Sequence, residues 1–241
     1  VYSFTDSPNI GAIHSFSFHN YVTLFTTPEL IDMIIGSIAL AIGSAVLATI
    51  LGTTGAIGAF YSKKNVNGTM SVLNQIPVVN ADVVTGFSLC ILLVVVFGVS
   101  KNTYIPLVIG HTVLSAPFVY LAVVPKLKQM DPSLYEAALD LGATPGYTLI
   151  HIIIPQIASG IISGFVMAVT LSLDDYFVAT YTKPATFDTI STYVVNATKG
   201  SQTNIRTALW ALSTIIFLIV VIVEVVMNFA PIKNEAQKEK H

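Results

Sequence analysis

Long apolar runs alternate with short polar breaks along this chain. A helix crossing the hydrocarbon core of a bilayer needs about 20 mostly apolar residues. Five stretches meet that length, at about 31–61, 72–99, 104–124, 148–173 and 207–229. Pro77 and Asn80 interrupt the second, which predicts a short interfacial piece before the span proper from about Asp82. Pro155 interrupts the fourth, predicting a kink or a junction between a surface helix and the span. The predicted fold is an all-α integral membrane protein, a polytopic bundle of about five visible transmembrane helices. Residues 1–30 form an extracytoplasmic segment, 31–230 a membrane domain containing a cytosolic loop at 125–147, and 231–241 a cytosolic tail.

Composition agrees with a membrane protein. Of 241 residues 54% are hydrophobic and only 10% charged, with mean hydropathy +0.75, whereas soluble domains carry about 25% charged residues. A net charge of −2 gives no basis for a nucleic-acid partner. Cys90 is the only cysteine, which excludes an intrachain disulfide and a cysteine metal cluster. The start at Val1-Tyr2-Ser3-Phe4 has no methionine and no basic region, so a fragment lacking its true N-terminus is expected. His241 is native or part of a tag; one residue does not decide.

Basic residues set the orientation. With the N-terminus outside, Lys63, Lys64, Lys126, Lys128, Lys233, Lys238 and Lys240 lie inside, against Lys101, Lys183, Lys199 and Arg206 outside. The segment around Glu136 then faces the cytoplasm. Asp131-Pro132 is an N-cap followed by a first-turn proline, and Gly142 is a natural C-terminal stop. Thr144-Pro145 repeats the start signal. The local product is a short cytosolic helix, a glycine turn and a helix entering the bilayer. Ala137 and Ala138 give the short helix a shallow face open to another protein's groove, and Glu136 lies near its favourable dipole end.

By pattern this segment resembles the EAA loop of binding-protein-dependent ABC importer permeases. That signature is Glu-Ala-Ala, three residues, Gly, nine residues, Ile, one residue, an aliphatic residue and Pro. Glu136, Ala137, Ala138, Gly142, Ile152, Ile154 and Pro155 fall in register, with Ile154 where leucine is usual. The stretches FSLCILLVVVFG at Phe87, GHTVLSAPFV at Gly110 and VTLSLDDYFVATY at Val169 narrow the resemblance to the polyamine branch, the PotC type of spermidine/putrescine permease. The resemblance implies a six-span fold whose first helix would end just before Val1. It makes Glu136, Ala137, Ala138 and Gly142 the coupling element that docks on a cytosolic ATPase. It also implies a second permease subunit (PotB type), an ATPase dimer (PotA type) and an extracytoplasmic binding protein (PotD type). The bacterial plasma membrane is the implied location, with the C-terminus cytoplasmic. No GxxxxGK[ST] phosphate loop occurs, so no cofactor is expected in this chain; ATP and Mg would sit in the partner.

A path for ammonium groups on methylene chains needs carboxylates for the charges and aromatic faces for the stems. Asp174 and Asp175, followed by Tyr176 and Phe177, supply both. A straight helix from Pro155 would put Asp175 about 30 Å away, near the outer mouth. Adjacent residues point about 100° apart, so one of the pair can face the path while the other caps or pairs. Asp82 serves the path or caps its helix, and the sequence leaves both open. Glu224 is expected to snorkel or meet a partner, and Asp32 to mark the membrane edge. His111 reads as a buried, hydrogen-bonded core residue, His14 and His19 carry no assignment, and no Ser-His-Asp or metal-ligand arrangement is apparent. Gly36, Gly43, Gly52, Gly55 and Gly58, with Ser37, Ser44, Ala45 and Ala48, make the first span rich in small residues, expected to pack against the second permease. Two rivals remain: the same architecture for thiamine, ferric ion or an oxyanion, and a secondary transporter or channel needing no ATPase.

The topology is testable after replacement of Cys90. Single cysteines between 63 and 70 and between 126 and 145 should react only with a reagent supplied from the cytosolic side. Those between 182 and 201 should react only from outside; the reverse pattern would overturn the orientation.

Overall fold

Two of the apolar stretches bend shortly after a proline, Pro77 and Pro155, whereas residues 105–129 form one helix through Pro117 and Pro125. The computed structural model describes residues 2–4, 16–131, 133–199, 210–218, 221 and 225, and its regular elements are all helical. The short α1 (His19–Thr26) leads into α2 (Pro28–Tyr61), which has proline in its first turn as helix starts favour. At 34 residues α2 is about 50 Å long, so it tilts or extends beyond the hydrocarbon layer. The other unbroken span is α5 (Ile105–Gln129).

The bundle is built on α5, which packs between α2 and α9 (Ala158–Asp174). Helices in lipid gain little from apolar burial against each other and rely on close packing, which small residues permit. A Cβ at Gly52 would lie 2.7 Å from Val119 Cβ and 2.8 Å from the Ala116 carbonyl oxygen. One at Gly160 of α9 would lie 2.9 Å from the Ala122 carbonyl oxygen. Around these contacts Ala45, Ala48, Ala56, Val119, Val123 and Ala168 are fully buried in one core. This corrects the expectation for α2: Ala45, Ala48 and Gly52 close-pack within the chain because α5 and α9 reach their backbone. Gly43 and Gly58 face open space.

The second stretch is divided, with α3 (Lys64–Val79) meeting α4 (Asp82–Cys90) and its π-type continuation (Ile91–Val96) at 103°. The span does restart at Asp82 as expected. The preceding piece, however, does not lie apart from the bundle. The Ser71 and Tyr120 hydroxyls are 3.2 Å apart, and Asn74 Nδ2 donates to the Pro117 carbonyl at 3.2 Å, so α3 runs antiparallel along α5. Asn80 and Ala81 are extended, and Asn80 Nδ2 donates across the break to Thr85 Oγ1 at 3.0 Å.

The fourth stretch is also broken. Beyond α6 (Ser133–Asp140), α7 (Pro145–Thr148) continues through a π-type turn (Leu149–Ile153) into α8 (Ile154–Gln156). The chain then bends by 72° at Ile157 into α9. A straight run from Pro155 to Asp175 is therefore excluded; α9 alone is about 25 Å long. Next come α10 (Phe177–Thr182) and α11 (Ile190–Lys199), and residues 210–218 are helical. At the outer end Leu24, Leu30, Met33, Ile190, Ala211 and Leu212 form a satellite core. The expectations for His14, Arg206, Glu224 and the C-terminal tail fall outside the described residues.

Replacing Gly160 with leucine should destabilise the bundle by about 1–3 kcal/mol or more through overpacking. Gly43→Leu should leave the melting temperature in detergent unchanged, since nothing lies within 4 Å of the added carbon. Equal melting of the two variants would contradict the α5–α9 contact.

Candidate functional site

Two polar features stand at opposite ends of the bundle. At the end where α5 leads into α6, Asp131 Oδ1 accepts from the Ser133 backbone N–H at 2.9 Å and the Ser133 hydroxyl at 2.7 Å, which starts α6. These donors, the backbone first, hold the Asp131 carboxyl below the ordinary range. The helix stops in a Schellman motif: Ala143 N–H donates to Ala138 O at 3.0 Å and Gly142 N–H to Leu139 O at 2.9 Å, with Gly142 at φ 88°. Thr144 Oγ1 then accepts from Tyr147 N–H and opens α7, with Pro145 in its first turn. Both start signals and the glycine stop work as the sequence predicted.

The face of α6 differs from expectation. Glu136 and Ala137 are exposed, whereas Ala138 is buried against the following turn. The two alanines are about 100° apart on the helix, and Leu134 and Tyr135 hold it against the bundle core. The Tyr135 ring lies tilted by 39° against that of Tyr61, the last residue of α2, at 4.8 Å. A residue the sequence reading passed over, Leu141, is 89% exposed beside Gly142. With Ala138, Thr144, Tyr147 and Ile152 it borders an open hollow of about 530 Å³. Its signal was available: an apolar residue directly before a left-handed stop has no helix face to bury it.

At the opposite end the paired acids separate. Asp175 is buried; its Oδ1 accepts from Val178 N–H at 3.2 Å and its Oδ2 from Ala179 N–H at 2.7 Å, capping α10. Asp174 is exposed at the last position of α9 and borders a cleft of about 490 Å³ with Thr170, Tyr176, Ser191, Val194 and Phe217. Phe177 stands edge-on to Tyr176 at 5.2 Å, outside the cleft lining. Asp82, exposed at the start of α4, and Asp174 both lie within electrostatic reach of Asp175. The fold thus draws the three predicted acids into one neighbourhood, with α10 wedged between α4 and α5.

Helix polarity ranks the acids. Asp82 sits at a helix N-terminus and Asp175 caps one, where negative charge is favoured by about 0.3–1 kcal/mol. Asp174 sits at a C-terminus, where the same term opposes it. Only Asp174 lacks a local structural reason for its charge.

Behind Asp175 lies a buried row. His111 Nε2 is 3.6 Å from Asp175 Oδ2, and Nδ1 is 2.7 Å from Ser172 Oγ, itself 3.3 Å from Ser44 Oγ. The imidazole thus faces the serine hydroxyl through Nδ1 and the carboxylate through Nε2. A serine–histidine–aspartate row therefore exists in space although chain spacing gave no sign of it. Ser172 and His111 are 4% and 0% exposed, which leaves no approach for an acyl substrate. Among the described residues no metal-ligating cluster occurs.

The described residues thus form an all-helical bundle with an exposed short helix at one end and a cleft bordered by Asp174 at the other. The sequence matches the family described as binding-protein-dependent transport system inner membrane component over residues 53–230, and the chain belongs to that family. The spermidine/putrescine transport system permease protein PotC of Haemophilus influenzae is 30% identical over 223 residues, covering 91% of this chain and 83% of its own. The putrescine transport system permease protein PotI of Escherichia coli K12 is 31% identical over 187 residues, covering 75% and 66%. Among solved structures, a bacterial ABC transporter involved in alginate import superimposes with TM-score 0.68 at 18% identity, covering 89% and 84%. That last likeness concerns the fold.

The separated acids predict separate phenotypes. Asp175→Ala should cost about 0.5–2 kcal/mol through loss of the cap and lower the melting temperature. Asp174→Ala should not lower it, and the opposite ranking would reverse the assignment.

Proposed function

We propose that this chain is one membrane subunit of an ATP-driven importer for polyamines of the spermidine/putrescine class. A second permease subunit completes the pathway, an ATPase dimer docks on α6 from the cytosol, and an extracytoplasmic protein delivers the cargo. The C-terminus is cytoplasmic. ATP and Mg belong to the partner, which closes on ATP, draws the coupling helices together and opens the bundle outward; hydrolysis resets it.

The observation that carries the cargo class is Asp174. Its charge opposes the α9 dipole, lacks a capping role and borders a cleft whose other walls are mainly apolar and aromatic. An ammonium group would satisfy that charge. Methylenes would lie along Leu173 and Val194, with Tyr176 and Phe217 offering ring faces worth about 0.5–2 kcal/mol to a cation. An oxyanion would meet the wrong sign. The names of the relatives support the same class, and Glu136, Ala137 and Leu141 offer the exposed docking face.

In proteoliposomes holding the complete importer, unlabelled putrescine should compete with labelled spermidine uptake, and thiamine and ferric ion should not. Asp174→Asn should slow uptake while basal ATPase activity persists. Glu136→Lys should abolish uptake and weaken ATPase binding. Normal uptake by both variants would refute the site and the coupling assignments together.

A further inference from the structure

His111 has no task in the transport reading given so far. It is fully buried on α5, where an imidazole must find polar partners or be costly. Its partners join four places in the fold: Ser44 on α2, Ser172 on α9, Asp175 at the α9–α10 junction, and α5 itself. Nε2 has no partner within hydrogen-bonding distance and is aimed at Asp175.

On its α9 side the junction is held by Asp175 N–H donating to Leu171 O at 3.1 Å and Ser191 Oγ donating to Leu173 O at 2.8 Å. Asp175 receives two backbone N–H groups, both from the helix that it caps, so these move with α10. From outside that helix, His111 Nε2 faces Asp175 Oδ2 at 3.6 Å. The remainder of α10 is held by shape: Val178, Ala179 and Thr182 are fully buried, and a Cβ at Gly86 of α4 would come within 2.9 Å of Val178 Cα. Asp174 is the adjacent residue on the same backbone, so a rotation at Asp175 re-aims Asp174 within the cleft.

We propose that His111 is a positioning residue for the cleft: through the Asp175 carboxylate it fixes the α9–α10 junction and thereby aims Asp174 at the cargo. This rests on the importer reading. His111 does not touch the cargo. The ring acts by spanning two distances at once, with Nδ1 on Ser172 and Nε2 towards Asp175.

Two substitutions divide those functions. The amide of His111→Gln reaches the place of Nε2 and can still donate to Asp175. That of His111→Asn reaches only the place of Nδ1. In the complete importer in proteoliposomes, His111→Gln should keep the KM for spermidine uptake within about threefold of the unsubstituted protein. His111→Asn should raise it about tenfold or more, because the polar group facing the Asp175 carboxylate is withdrawn and the junction is free to turn. Both variants should assemble in equal amounts. In an Asp175→Asn background the difference between the two should vanish. A transport-independent readout uses a cysteine at Asp174 in a chain lacking Cys90. Its labelling rate by a cationic thiol reagent should change with His111→Asn and not with His111→Gln. Equal behaviour of the two variants in both readouts, whether impaired or normal, would overturn the proposal. Failure of the unsubstituted importer to move polyamines would instead refute the cargo reading, with the labelling contrast still deciding the role of His111.

Discussion

The mutual backbone approach of α2, α5 and α9 is the contact on which the other features depend. In lipid there is no large reward for covering apolar side chains, so helix association follows fit. Gly52 and Gly160 allow that fit, and the same helix carries functional groups towards both ends. Its inner end leads through Asp131 into α6, and its outer third presents His111 to Asp175. Tyr135 on Tyr61 ties α6 back to α2. The short helix α6 and the cleft bordered by Asp174 are thus attached to one scaffold of packed helices.

Much of this was legible along the chain because it depends on local rules. The start of α6 at Asp131, its stop at Gly142 and the restart at Thr144 follow from capping chemistry that neighbouring residues supply. The restart at Asp82 and the break near Pro155 were likewise marked by proline and asparagine. The division of labour between Asp174 and Asp175 was foreseeable as a possibility from helical angle, yet which acid caps depends on the turn into α10. That turn follows packing against Gly86 and Gly110, which are distant in the chain.

What could not be read required long-range contacts. The burial of Ala45, Ala48 and Gly52 within the chain depends on α5 and α9 arriving on the same side of α2. The placement of α3 against α5 depends on Ser71 and Asn74 finding Tyr120 and the Pro117 carbonyl. The link from His111 to Ser172 crosses 61 positions and has no periodicity to reveal it. A lone histidine in an apolar run looks the same with or without an aspartate facing it.

The 103° bend between α3 and α4 has a consequence for how the chain is made. From Asp82 to Val96 the second part of that broken span has 15 residues, about 22 Å of helix, less than the hydrocarbon thickness of about 30 Å. The residues that hold α3 in its bent arrangement, Tyr120 and Pro117, are synthesised later than the bend itself. When this region leaves the ribosome, neither half has its support, and an extended pair of peptide units at Asn80 and Ala81 in lipid would strand polar groups. The bend is thus completed by contacts to α5, a helix that follows it in the chain, and not by the bent segment alone.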